Sequence, residues 1–158
     1  MISFPSLSQT ELELLAARIA EACATRDVIA LYGDLGAGKT VFSRAFIRSL
    51  GLPDEDVPSP TFTLVQTYDG EKKDGTPLTV WHFDLYRIKS AEEIYELGFE
   101  DALSDGVCLI EWPERAERLL PKNRLEIAVR AAENANARRI DITPCGKTWE
   151  NRLDRIKK

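Results

Sequence analysis

Apolar positions in the N-terminal third of the chain follow two different periods. Leu12, Leu15, Ala16, Ile19 and Cys23 recur at helical spacing. They follow Ser8-Gln9-Thr10-Glu11, in which an N-cap hydroxyl and a glutamate three residues on can satisfy each other's orphan backbone donors. A surface helix packed on a core is predicted from there. Val28 to Tyr32 is instead a continuous apolar run, too short for a helix between Asp27 and the glycines that follow, and it predicts a buried strand of a covered, largely parallel sheet. From Val41 to Leu50, Phe42, Ala45, Phe46 and Leu50 share a helical face, and Gly51 with Pro53 ends it.

Pro58-Ser59-Pro60 reads as a rigid, extended lead into Phe62 to Tyr68, a β-rich run that Asp69-Gly70 and Asp74-Gly75 separate from Leu78 to Phe83. The pair predicts an antiparallel hairpin with a long polar tip. Ser90-Ala91-Glu92-Glu93 repeats the capping pattern before a short helix ending at Gly98. Val107 to Ile110 is a second buried-strand run, closed by Glu111-Trp112-Pro113. Beyond Pro121, Leu125, Ile127 and Val129 alternate, as do Ile140 and Ile142 across the polar stretch 131 to 137, which gives an amphipathic hairpin. The last ten residues read as a polar, basic helix or tail. With no repeat, low-complexity block or long linker, residues 1–158 read as one domain.

Composition narrows the classes. At 158 residues, 44% hydrophobic and 30% charged, the chain has the makeup of a soluble domain that buries roughly 70% of its unfolded surface without disulfides or metal. Cys23, Cys108 and Cys145 are far apart and form no C-x-x-C pair, which disfavours a disulfide framework or zinc site and fits a reducing compartment. Met1 to Pro5 lacks the features of a secretory signal, and no apolar run approaches membrane-spanning length, so a cytoplasmic location is expected. A net charge of −5 argues against a general phosphate-backbone binder but leaves room for a local basic patch. The sole histidine, His82, removes any His-rich metal site and any Ser-His or Cys-His catalysis not built around it.

Gly33-Asp34-Leu35-Gly36-Ala37-Gly38-Lys39-Thr40 matches G-x-x-x-x-G-K-[ST], the Walker A or P-loop pattern, in full, with a strand before it and a helix after it. Glycines let such a loop turn its backbone N–H groups inward at a helix N-terminus, where the dipole adds to the attraction for phosphate. Lys39 would reach the β- and γ-phosphates, and the Thr40 hydroxyl would coordinate Mg²⁺. Gly146-Lys147-Thr148 also reads G-K-T, but Asp141 stands where the motif glycine belongs and Pro144 interrupts, so a surface turn is expected.

Hydrolysis or transfer also needs a carboxylate at a neighbouring strand end. Glu111, directly after the second buried run, and Asp84, ending the Leu78 to Phe83 strand on the face of His82 and Val80, are the two candidates. An N-cap, or a surface ion pair with Arg87 or Arg115, is the competing reading of either. Ser59-Pro60-Thr61 resembles a switch segment, with Thr61 offering oxygen to metal or γ-phosphate; an ordinary loop is the alternative. Trp112 reads equally as a core aromatic or a lid near the nucleotide. Asn151-Arg152-Leu153-Asp154 is a poor match to the guanine-reading N-K-x-D, so ATP is favoured over GTP. A small-molecule kinase and a nucleotide-sensing module that does not hydrolyse ATP stay open.

L-Y-G-D-L-G-A-G-K-T at 31–40, S-P-T-F-T-L-V at 59–65, H-F-D-L-Y-R at 82–87 and L-I-E-W-P-E at 109–114, in that order, closely resemble the TsaE (YjeE) family of bacterial tRNA threonylcarbamoyladenosine biosynthesis. The resemblance implies an α/β, three-layer P-loop NTPase fold with a mixed, largely parallel sheet and antiparallel edge hairpins. It implies weak intrinsic ATP hydrolysis with Mg²⁺, and work inside a complex with the TsaB and TsaD proteins on adenosine 37 of tRNAs reading codons that begin with A. TsaD would perform the transfer, and tRNA would be met through the complex. Carried over, Gly33, Gly36, Ala37, Gly38, Lys39, Thr40 and Val41 bind the nucleotide, with Trp112 beside them. Thr40 and Glu111 bind the metal, and Lys39, Glu111, Asp84 and Thr61 take catalytic or switching positions. Ser8 and Thr10 approach the adenine. Arg115, Arg118, Lys122 and Arg124 read either as a partner or tRNA edge or as a solvated face.

Overall fold

The computed structural model describes residues 1–34, 36–58 and 63–157. Seven strands form one sheet: β1 (Ile2–Leu7), β2 (Val28–Tyr32), β3 (Val65–Glu71), β4 (Pro77–Asp84), β5 (Val107–Glu111), β6 (Arg124–Ala131) and β7 (Arg138–Cys145). Their order across the sheet is β1-β7-β6-β2-β5-β4-β3. The four central strands, β6, β2, β5 and β4, run parallel, while β1, β7 and β3 are attached antiparallel at the two sides. The sheet is thus mixed, with parallel pairing confined to its centre, and both expected hairpins are present.

Residues of alternating parity on these strands feed two separate apolar layers, as a period of two requires. Ile29, Leu31, Leu109, Leu125, Ile127 and Val129 face helices α1 (Gln9–Ala22) and α2 (Lys39–Arg48), together with Trp149 and with Ile156 of α5 (Leu153–Lys157). Val28, Phe83, Cys108 and Ile110 face the opposite way, against Ile94 of α3 (Glu93–Glu96), Phe99 and Ala102 of α4 (Phe99–Asp105), and Ala116 of the 3-10 helix Pro113–Leu119. The result is three layers, helix on sheet on helix. Each fully buried aliphatic side chain contributes roughly 1.5–3 kcal/mol. Among the described residues no helix is long and apolar enough to cross a membrane.

Several elements depart from the sequence pattern for identifiable reasons. β1 has only a short apolar alternation, Ile2 and Phe4, and carries Pro5; it forms at the sheet edge, with a register shift between Phe4 and Leu7, where a missing N–H is tolerated. The β3–β4 ladder continues through Asp69 and Gly70 to Glu71↔Pro77, so the tip is only 72–76. Gly70 belongs in the strand because a Cβ there would lie 2.8 Å from the Leu50 carbonyl oxygen, and the Glu71 N–H donates to that same oxygen at 2.9 Å. The capping pattern at Ser90 is not used: α3 has no side-chain cap, and Glu93 Oε2 instead accepts the Lys89 N–H at 2.8 Å. Gly98, left-handed at φ 82°, ends the short helix α3 as expected, and it also serves as the N-cap of a second helix, α4, that the pattern did not separate. The basic C-terminal segment is fastened: Arg152 donates to both oxygens of Asp27 at 2.6 and 2.8 Å and lies 3.9 Å over the Trp149 ring.

Candidate functional site

The glycine-rich loop leaves the carboxyl end of β2, a central strand flanked by parallel β5 and β6, which is where open α/β sheets gather ligands. A tight turn, Ala37 N–H to the Asp34 carbonyl at 3.0 Å, reverses the chain. Gly33, at φ 154°, passes so close to β6 that a Cβ would sit 2.6 Å from the Val129 carbonyl oxygen. Gly38, at φ 110°, is the N-cap of α2 and offers no side chain to its first turn. α1 is built the opposite way, with Ser8 and Glu11 closing a complete capping box at 3.2 and 2.9 Å. Among the described residues the N-terminal N–H groups of α2 are therefore left without a side-chain acceptor, in a loop whose glycines bring the backbone into reach of an anion. From behind, Arg138 of β7 donates Nε to the Ala37 carbonyl at 2.9 Å and braces the loop.

Lys39, only 5% exposed, donates Nζ to the Gly33 carbonyl at 2.6 Å, and its ammonium lies 3.5 Å from the centre of the Trp112 ring. Among the described residues no carboxylate comes within ion-pair distance of it. Burial pushes its pKa below the ordinary lysine value, and the pull of Glu111, Glu114, Asp84 and Asp34 in the other direction does not cancel it. A buried cation with a neutral acceptor and a ring face, but no counter-anion, is a site one negative group short. Trp112 adopts a left-handed backbone at φ 58°, which costs a residue with a Cβ roughly 1–2 kcal/mol. That geometry turns its half-buried ring over the loop and against Tyr86 at 4.8 Å between centroids, so it is a wall of the site rather than a core aromatic.

The two carboxylates end adjacent parallel strands in register, Asp84↔Glu111. Both are buried, 4% and 3% exposed. Glu111 Oε2 lies 2.6 Å from His82 Nε2 and 3.5 Å from the Ser43 hydroxyl, which also donates to the Lys39 carbonyl at 3.0 Å. Glu111 therefore pairs inward with His82 and not with Arg87 or Arg115. Asp84 Oδ1 accepts the Tyr86 N–H at 3.0 Å. A cleft of about 410 Å³ is lined by Gly36, Gly38, Lys39, Thr40, Val41, Asp84, Glu111 and Trp112, among others. A second cleft of about 870 Å³ lies across Trp112, against Gly33, Ala37, Val129 and Arg138. Among the described residues no three His, Cys, Asp or Glu side chains form a metal cluster. A divalent ion here would draw on a hydroxyl, one or two carboxylates and the ligand's own oxygens, the pattern of Mg²⁺ rather than of Zn²⁺.

A family model described as "Threonylcarbamoyl adenosine biosynthesis protein TsaE" matches residues 6–140. The chain belongs to the TsaE family. It is 43% identical over 127 residues to the tRNA threonylcarbamoyladenosine biosynthesis protein TsaE of Rickettsia conorii, across 80% of this chain and 70% of that protein. It is 40% identical over 125 residues to the protein of that description from Bacillus subtilis, across 78% and 73% of the two. The crystal structure of Bacillus subtilis YdiB superposes with a TM-score of 0.77 at 31% identity, over 99% of this chain and 93% of that one. The family's place in tRNA threonylcarbamoyladenosine biosynthesis is thereby this chain's place also.

The TsaE match includes the glycine-rich loop, both carboxylates and Trp112, and ends within β7. The structure brings Gly36, Gly38, Lys39, Thr40, Val41, Asp84, Glu111 and Trp112 to one cleft, with Gly33 and Ala37 on its neighbour. Ser8 and Thr10 line neither; the Ser8 hydroxyl is spent on the cap of α1, although Leu7 before it pairs with Arg138. Thr61 lies outside the described residues. Arg124 is half-buried and bound to Glu126 at 2.8 Å, so it is no free member of a basic edge. Three participants were not legible as such: His82, Ser43 and Arg138. Ser43 follows Lys39 by one helical turn, a spacing that puts both on one face. Nothing local in the sequence marks Arg138, whose role depends on β7 lying beside β6.

Proposed function

We propose that the chain binds ATP with Mg²⁺ at the glycine-rich loop and hydrolyses it, weakly when alone, for threonylcarbamoyladenosine modification at position 37 of tRNAs reading codons that begin with A. It does so in the cytoplasm, in a complex with the TsaB and TsaD proteins, where TsaD performs the threonylcarbamoyl transfer and tRNA is met through the complex. The observation that carries this reading is Lys39: an ammonium buried among uncapped N–H groups with no anion of its own is suited to a polyphosphate. In use, Lys39 releases the Gly33 carbonyl and grips the β- and γ-phosphates, while the N–H groups at the start of α2 hold the phosphate oxygens. Thr40 and Glu111 would hold Mg²⁺, which when bound neutralises charge on the β–γ bridge. Asp84, with Thr61, takes the catalytic or switching role. Water oxygen forms the new bond to the γ-phosphorus, the bond to the bridging oxygen breaks, ADP leaves with that electron pair, and the water proton passes to solvent. Trp112 walls the cleft and keeps it partly dry.

The test is nucleotide turnover by the chain alone and with the TsaB–TsaD pair. Slow release of phosphate is expected from the chain alone and faster release with both partners. Turnover that rises only with a small-molecule phosphate acceptor would make the chain a kinase. Intact ATP after long incubation with all partners would make it a nucleotide-dependent switch without hydrolysis.

A further inference from the structure

His82 is the chain's only histidine and is fully buried, yet no step above uses it. It sits on β4 two residues before Asp84, opposite Leu109 of β5, and so beneath the same helical face as Glu111. Its Nε2 is 2.6 Å from Glu111 Oε2, while Nδ1 is buried with no hydrogen-bond partner among the described residues. A carboxylate oxygen only accepts, so the 2.6 Å contact makes Nε2 the donor, its N–H directed at Glu111 Oε2. Glu111 Oε2 is thus engaged by the imidazole, the single Ser43 hydroxyl proton going to the nearer Lys39 carbonyl, whereas Oε1 has no partner among the described residues. A carboxylate held by one oxygen is fixed in rotation and presents the other.

We propose that His82 is a positioning residue that clamps Glu111 through Nε2–H···Oε2 so that Oε1 is presented to the divalent ion accompanying the nucleotide. This rests on the ATP and Mg²⁺ reading above. Groups that orient a metal-binding carboxylate typically change metal affinity by about 10- to 100-fold when lost. The clamp acts on the metal, and the phosphates are held by the loop, so its loss separates the two.

The experiment compares His82→Leu, which keeps bulk without a donor, with His82→Gln, whose side-chain amide reaches the level of Nε2. For each, ATP affinity is measured by calorimetry without divalent ion and across a Mg²⁺ titration, and turnover is followed over the same titration. His82→Leu is expected to leave metal-free ATP affinity within about twofold of wild type and to raise the Mg²⁺ concentration for half-maximal effect about tenfold. His82→Gln is expected to restore most of that shift. An unchanged Mg²⁺ midpoint in His82→Leu, or an equal loss of metal-free affinity, would overturn the clamp, the latter marking a packing role only. Should His82→Leu fail to fold, His82→Asn replaces it, being polar like Gln but too short to reach Glu111; equal Mg²⁺ midpoints in Asn and Gln variants would overturn the proposal. A wild-type protein that binds no ATP, or binds it without any Mg²⁺ effect, would instead sink the reading on which the clamp rests.

Discussion

Replacing Lys39 by methionine should push nucleotide binding and apo stability in opposite directions. Methionine keeps an unbranched apolar stem at the buried position, and what disappears is the ammonium with its bond to the Gly33 carbonyl and its contact with the Trp112 ring. Because burial outweighs the nearby carboxylates and leaves the lysine pKa below its ordinary value, the charged form is less welcome in the fold than in the unfolded chain. That penalty is fully present at neutral pH and is relieved as pH rises through the lowered pKa toward the ordinary one. The apo variant should therefore melt at or above wild type near pH 7, and wild type should gain on it as pH increases. Binding behaves otherwise. A partly buried charge pair to phosphate is worth about 2–4 kcal/mol, so Lys39→Met should weaken ATP binding between about thirtyfold and several hundredfold. Calorimetry with ATP and Mg²⁺, paired with thermal melts at several pH values, reads both effects. About 1 kcal/mol corresponds to roughly 2–4 °C in a domain of this size. An apo variant melting more than about 4 °C below wild type, with affinity lost in proportion, would show Lys39 to be a structural cation and refute the reasoning.

Glu111→Gln keeps a hydrogen-bond acceptor toward His82 but loses the charge, and should cut turnover about a hundredfold or more while changing ATP affinity less than about fivefold; steady-state rates equal to wild type would pass the metal role to Asp84. Gly33→Ala places a methyl 2.6 Å from the Val129 carbonyl at a φ of 154°, and thermal melting should show a loss of about 1–3 kcal/mol together with weakened nucleotide binding. Arg152→Ala leaves the buried Asp27 carboxylate, among the described residues, with only the Ala24 N–H at 2.6 Å and should cost about 2–3 kcal/mol by denaturant titration with turnover per folded molecule unchanged.

Much of this architecture was legible because two kinds of signal are strictly local. Val28 to Tyr32 and Val107 to Ile110 are buried on both faces, and no other short element tolerates such runs. The G-x-x-x-x-G-K-T spacing encodes a backbone path, and its glycines do occupy the positive-φ positions that path requires at 33, 36 and 38. What escaped the sequence depends on neighbours far along the chain. β1 exists only because β7 offers it an edge, and Gly70 is extended only because Leu50 passes beside it. Trp112 could be read as core or lid until its left-handed backbone placed the ring over Lys39. Glu111 was legible as a strand-end carboxylate, but its pairing with His82 arises from the parallel register of β4 and β5, which no spacing within either strand reveals.

The most direct test is a crystal structure of the chain with Mg²⁺ and a non-hydrolysable ATP analogue. The triphosphate is expected against the N–H groups of residues 33–40, with Lys39 Nζ moved from the Gly33 carbonyl onto a phosphate oxygen and the ion between Thr40 and Glu111. A nucleotide seated elsewhere, or Lys39 still bound to Gly33 and Trp112 with the analogue present, would contradict it.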